Sequence, residues 1–305
     1  MKSIDFYILD VFAKQKFGGN QLAVYIDLND ELGGSEMLQI AKEINFAEST
    51  FIKKRVGENK YAVKIFTTES EIPFAGHPTI GTSYIIAKYL LPEPADEIIL
   101  SLAQGEIKVT LSNLQDLDNC LFKMTQTQPE FLKTFEKNEI AEQLEIGQSL
   151  MRNDKAIQEV STGLPFIIVP IKDLDSMEKI QIRATLLKDF LIKNEIYKSN
   201  SSNNLSTSLL FYTDQTYEPE NDFNVRMFCL EDDLLKEDAA TGSANGCFLA
   251  YLLKNYCNEV KVKVEQGFQM NRKSYLYLEG SLSEGHYNIQ VGGYSNMIST
   301  GQWII

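Results

Sequence analysis

The sequence predicts a chain of interleaved strands and helices organised as two copies of one unit, and three observations predict it. At 305 residues the chain is about twice a typical single-domain length. Shifting it by 162 residues lays YAVKIFTTES (61–70) over FNVRMFCLED (223–232), so that Val63 meets Val225, Lys64 meets Arg226, Phe66 meets Phe228 and Glu69 meets Glu231. At the same shift Thr79 meets Thr241, Tyr89-Leu90-Leu91 meets Tyr251-Leu252-Leu253, and Gln104-Gly105 meets Gln266-Gly267. Each matched segment reads strand, glycine-bearing turn, apolar helix, strand, Gln-Gly turn, strand.

The elements follow from residue type and spacing. IDFYILDVFA is rich in aromatic and β-branched residues and reads as a strand; KFGGNQLAVYI passes through a glycine turn into a second. SEMLQIAKEINFA places Met37, Ile40, Ala41 and Ile44 on one helical face, with Ser35 as the N-cap. ESTFIKK and YAVKIFT are strands. After the turn-rich TESEIPFAGHP, the segment TIGTSYIIAKYLL is apolar almost all round, as a buried helix is. EIILSLAQ and GEIKVTLS are strands, the stretch from Thr125 to Ile157 reads as a polar, mostly helical surface excursion, and TGLPFIIVPI is a strand ended by Pro170. The polar run from Lys198 to Ser208 is a loop by composition. The closing VGGYSNMISTGQWII reads as one or two paired strands.

Composition bounds the function. Hydrophobic residues are 44% and charged residues 23% of the chain, the balance of a globular protein that buries its own core. Against 29 Lys and Arg stand 42 Asp and Glu, a net charge of -13. Nucleic-acid and anionic-membrane surfaces depend on basic patches, so neither partner is expected. Cys120, Cys229, Cys247 and Cys257 have no zinc-site spacing. The N-terminal segment lacks a signal-peptide core and no run of 18 apolar residues occurs, which points to a cytoplasmic protein with free thiols. No GxGxxG or GxxxxGK[ST] loop is present, and no cofactor or metal is expected.

The residues that can carry chemistry are few, and each has a plain structural reading beside the functional one. The chain has 2 histidines. His77, between Gly76 and Pro78 at the head of the first apolar helix, is either a proton donor and acceptor or a packing residue in a tight turn. His286 has no motif around it. Asp238, before the small run AATGSA in the matching half, is a site acid or an N-cap. Glu48 lies among Phe46, Phe51 and Ile52; burial there would disfavour its charge and suit it to general base and acid work, and the plain reading is an exposed turn acid. Asn20, in FGGNQ, binds substrate or supplies a left-handed turn. Cys247, a turn into the second apolar helix, reads as core. The two helix heads carry unpaired backbone N–H groups at the positive end of the helix dipole. Together they can hold a carboxylate without an arginine, so an acidic chain is compatible with an anionic substrate.

FGGNQLAVYI, MLQIAKEINFAESTFI, IFTTESEIPFAGHPTIG, RMFCLEDDLLKEDAATGSA and EQGFQMNRKSYL, in this order, resemble the successive motifs of the PhzF-like family of phenazine biosynthesis over nearly the entire chain. The resemblance implies an α+β fold of the diaminopimelate epimerase and proline racemase type. That fold has two similar lobes, each a mainly antiparallel β-barrel-like sheet around a central helix, with the active site in the cleft between them. The lobes would span 1–118 with 292–305, and 119–291. The family's acid/base glutamate falls on Glu48, its histidine on His77, its aspartate on Asp238 and its substrate-contacting serine on Ser243, with helix-head amides near Gly76 and Gly242. Where the epimerase and racemase relatives carry a pair of proton-transferring cysteines, this chain has Ala75 and Thr241, so a two-cysteine mechanism is excluded. Asp238 is followed by Ala239 where proline is usual in the family.

The resemblance therefore implies a cofactor-independent isomerase, a homodimer, that moves a proton within a small carboxylate-bearing molecule by general acid/base catalysis. An epimerase or tautomerase acting on a different acid, a binding protein that kept the cleft without the chemistry, and a structural protein are the competing readings.

Overall fold

The computed structural model describes residues 2–199, 205–231 and 233–305. Residues 200–204 of the loop expected from Lys198 to Ser208 lie outside the described residues. The chain divides into two compact units, Met1–Thr125 with Val291–Ile305, and Gln126–Gln290.

The first unit contains β1 (Ser3–Val11), β2 (Asn20–Ile26), α1 (Gly34–Ile44), β3 (Glu48–Arg55), β4 (Lys60–Phe66), the short β5 (Glu71–Ile72), α2 (Gly76–Ile85), β6 (Glu97–Leu102), β7 (Gly105–Leu111) and β8 (Phe122–Thr125). The second contains β9 (Glu130–Phe135), α3 (Lys137–Leu144), β10 (Ile157–Ser161), β11 (Pro165–Pro170), α4 (Leu174–Glu178), α5 (Ala184–Lys193), β12 (Ser208–Thr213), β13 (Phe223–Glu231), β14 (Leu234–Asp238), α6 (Gly242–Asn255), β15 (Glu259–Gln266) and β16 (Ser274–Ser283). β17 (His286–Gly293) carries the chain back to the first unit, which β18 (Ser295–Ile304) completes.

In the first unit β1 is flanked by antiparallel β18 and β2. The order continues through β3, parallel to β2, then antiparallel β4, parallel β6, and antiparallel β7 and β8. Helix α2 touches β18 and β1 at one end of this order and β7 and β8 at the other, so the mixed sheet wraps around it. All residues of α2 are buried, as the all-round apolar pattern predicts. A helix this short is marginal alone, so the enclosing sheet holds it. Gly81 permits the close approach: a Cβ there would lie 2.5 Å from Leu22 and 2.8 Å from Val11. Past Ile85 the helix runs on as a π-helical turn from Ile86 to Leu90.

The second unit repeats the plan. The ladder runs β9, β10, β11, then parallel β12, antiparallel β13, and from β13 to antiparallel β14 on one stretch and parallel β15 on another. Helix α6 packs on β10, β11, β15 and β16 and is buried from Gly242 to Leu253. Alternation gives this sheet two apolar faces. Ile167, Val169, Leu209 and Phe211 point away from Ile168 and Leu210 and form a second core with Ile140, Leu144, Leu187 and Phe190 of α3 and α5.

Three expectations need correction. The N-cap of α1 is Gly33, not Ser35; the Gly33 N–H donates to the Glu36 carboxylate at 2.9 Å, so the chain enters the helix two residues earlier. The stretch from Thr125 to Ile157 is not mostly helical: it contributes β9, which pairs along β10, and the helix α3. The repeat also changes register at the helix heads. Gly76 and Gly242 open the two helices, and Thr79 and Asn245 bond back to the carbonyls of Ala75 and Thr241. Thr241 therefore corresponds to Ala75 rather than Thr79, because the β13–β14 hairpin is longer than its β4–β5 counterpart.

Candidate active site

In the first unit the turn after α1 sets the position of Glu48. Asn45 adopts a left-handed conformation (φ 56°) and its N–H closes the helix on Ala41, which redirects the chain into β3 with Glu48 as first residue. His77 is the second residue of α2 and 4% exposed. Its Nε2 lies 3.3 Å from Oε2 of Glu48. The Asn20 side-chain nitrogen, at the start of β2, lies 3.2 Å from Nδ1, and a hydrogen bond to the Gln21 backbone also holds the ring. Burial pulls the imidazole from 6.5 to about 3, with the Gln21 bond opposing, so the ring is neutral at physiological pH. The left-handed conformation near Asn20 belongs to Gly19 (φ 65°), which excludes the turn reading for Asn20.

In the second unit Asp238 ends β14 and Thr241 is the N-cap of α6. The Thr241 hydroxyl donates to Oδ2 of Asp238. Gln266, at the end of β15 and fully buried, donates from Nε2 to the Asp238 carbonyl and to Thr241 Oγ1, both at 2.9 Å. Its Oε1 accepts from the Thr241 N–H at 3.1 Å and from Asn245 Nδ2 at 2.9 Å. Ser274 donates to the Ala239 carbonyl at 2.6 Å, so the backbone after Asp238 is held without a proline. Gly242 and Ser243 form the first turn of α6, and Ser243 is buried.

Glu48, His77, Asn20 and Gly76 thus gather at the head of α2, and Asp238, Gly242 and Ser243 at the head of α6. Cys247 lies in the core of the second unit beside Thr162, and burial pushes its thiol up to about 12, far from a nucleophile's range. His286 is exposed beside Gln128.

The model of the phenazine biosynthesis-like family matches residues 9–301. The chain belongs to this family. Similar relatives include an uncharacterized isomerase of Pasteurella multocida, 27% identical over 98% of the chain and 94% of the relative. The trans-2,3-dihydro-3-hydroxyanthranilate isomerase of Pseudomonas aeruginosa is 25% identical over 89% of the chain and 88% of that protein. Among solved structures, the Bacillus anthracis phenazine biosynthesis protein of the PhzF family superposes with a TM-score of 0.83 at 24% identity, covering 100% of both chains. This likeness shows a shared α+β fold with a large mixed sheet and few helices.

Sequence reasoning missed the polar network behind Asp238. Gln266 marked the repeat and nothing more. The glycine after it is required, because Gly267 adopts φ 73° and a Cβ there would meet the carbonyls of Arg272 and Ala239 at 2.5 and 2.6 Å. The recurring dipeptide gave no sign that Gln266 is buried, since Gln104 is exposed.

Proposed function

We propose that the protein is a cofactor-independent isomerase that moves a proton within a small carboxylate-bearing substrate. The observation that carries this reading is the pairing of Glu48 with a buried, neutral His77 at 3.3 Å. Glu48 takes a proton from carbon and returns it to another atom of the same molecule. A neutral imidazole beside it can pass or accept a hydrogen bond without adding a positive charge that would suppress the carboxylate's basicity. Asp238 binds the polar substituent of the substrate. The N–H groups at Gly76 and Gly242, with the Ser243 hydroxyl, take its carboxylate and the charge that develops in the transition state. The reading requires one substrate to meet the heads of both α2 and α6, in the two-lobed manner expected from the resemblance.

The name of the Pseudomonas aeruginosa relative supplies the first probe, trans-2,3-dihydro-3-hydroxyanthranilate, followed by a panel of small amino and hydroxy acids. Turnover in deuterated water, read by mass spectrometry, follows deuterium entering the product. The Glu48→Gln variant is expected to lose at least about a hundredfold in turnover with its fold intact. Undiminished turnover by that variant overturns the assignment. Deuterium at a stereocentre with loss of chirality would instead identify an epimerase.

A further inference from the structure

We infer that Thr241 and Gln266 form a directional hydrogen-bond relay that holds the Asp238 carboxylate as a hydrogen-bond acceptor at the head of α6. The inference rests on the reading of Asp238 as a substrate-binding group and deepens it.

The direction follows from counting donors and acceptors. Gln266 is fully buried and uses its whole amide: two N–H groups on the Asp238 carbonyl and Thr241 Oγ1, and two lone pairs on the Thr241 N–H and Asn245 Nδ2. Rotating the amide by half a turn would set its NH2 against two donors and its oxygen against a carbonyl. The orientation is therefore fixed. Because Gln266 donates into Thr241 Oγ1, the hydroxyl must spend its single proton elsewhere, and its partner is Oδ2 of Asp238. Asp238 Oδ2 is thus held as an acceptor in one rotamer. Three residues of turn, Ala239 to Thr241, link the carboxylate to the helix, and Gln266 grips both ends of that turn.

This gives the Thr241 side chain a definite task. It occupies the position where the racemase relatives, by the resemblance above, carry a cysteine that transfers protons. Here the hydroxyl proton is committed to Asp238, so Thr241 is a positioning residue and Gln266 stands behind it. The consequence is that the second unit contributes a held carboxylate, with proton movement left to Glu48.

The test is a double-mutant cycle on the trans-2,3-dihydro-3-hydroxyanthranilate probe, with the hydroxyl proton observed separately by NMR. Thr241→Val removes the donor at nearly constant shape and should lower kcat by about tenfold to a hundredfold, the worth of one hydrogen bond to a charged group, with KM within about threefold. Thr241→Ser keeps the hydroxyl and should restore kcat to within about threefold of the parent protein. In an Asp238→Asn background Thr241→Val should cost nothing more. Ionised Gln266→Glu offers only acceptors, frees the hydroxyl to turn away from Asp238, and should resemble Thr241→Val at a pH where NMR shows the buried carboxyl charged.

Equal losses in both backgrounds, or none in either, would overturn the relay. Full turnover by Asp238→Asn, or a parent protein silent toward the probe, would instead count against the functional reading. In that event the NMR signal decides the relay by itself. A slowly exchanging hydroxyl proton at position 241 close to Asp238, retained in Thr241→Ser and lost in Gln266→Glu once its carboxyl is charged, supports it, and its persistence in the charged Gln266→Glu refutes it.

Discussion

The heads of α2 and α6 are built on one backbone plan and filled with opposite chemistry. Both helices open on a glycine after an extended residue, both are buried almost all round, and in both the fourth residue bonds back to the carbonyl before the helix. At α2 the preceding residue is Ala75, and the polar groups are a desolvated imidazole and a carboxylate 3.3 Å apart. At α6 it is Thr241, tied to Asp238, Gln266 and Asn245. Burial keeps the imidazole at α2 neutral beside its carboxylate, whereas the carboxylate at α6 is surrounded by hydrogen-bonding partners. One plan thus yields a head with a desolvated imidazole–carboxylate pair and a head with a hydrogen-bonded carboxylate.

The same contrast runs through the recurring Gln-Gly turn, and it can be broken experimentally. The largest effect is expected from Gln266→Leu, which strands the Thr241 N–H, the Asp238 carbonyl and Asn245 Nδ2 together. It should cost about 3 kcal/mol, measured by denaturant unfolding. Gly267→Ala comes next, at about 2 kcal/mol, since the left-handed backbone and two carbonyls leave a methyl no room. Gly105→Ala should cost less, about 1 kcal/mol, because a Cβ there meets nothing within 4 Å and only the φ of 135° is strained.

His77 gives a third contrast, in pH. Its folded value of about 3 lies below the unfolded 6.5, so as pH falls through this window the unfolded chain binds the proton first. The stabilisation is present above pH 6.5 and drains away toward pH 3, by about 1.4 kcal/mol per pH unit. Between pH 6 and 4 the stability of His77→Gln should therefore fall less steeply than that of the parent, and parallel profiles would contradict a buried neutral ring. The smallest effect belongs to Gln104→Leu. Gln104 is exposed, and its replacement should change stability by less than about 0.5 kcal/mol.

Much of this was legible in the sequence. The apolar pattern of TIGTSYIIAKYLL gave a buried helix, and the strands around it alternate as their residues suggest. Glu48, His77 and Asn20 stood in short motifs, although only the structure shows Asn20 turned onto His77. The strand β9 escaped notice because most of its residues are exposed or half-buried, so EFLKTF carries almost no alternation. The Thr241–Gln266 contact escaped for a different reason. Glutamine is ordinarily a surface residue, and the identical dipeptide at Gln104 is indeed at the surface. Burial of a polar side chain is decided by partners distant in the chain, and no local pattern records it.

The pairing of β1 with β18, from Ser3 against Ile304 to Val11 against Ser295, also orders events in time. As the chain leaves the ribosome, β1 emerges well before β18 and waits for that neighbour for almost three hundred residues. The second unit, continuous from Gln126 to Gln290, has all its own strands in hand before that. It can fold while the first unit is still a partial sheet with an open edge at β1, the kind of edge that invites other chains. Synthesis thus completes the unit around α6 before the sheet around α2 is closed.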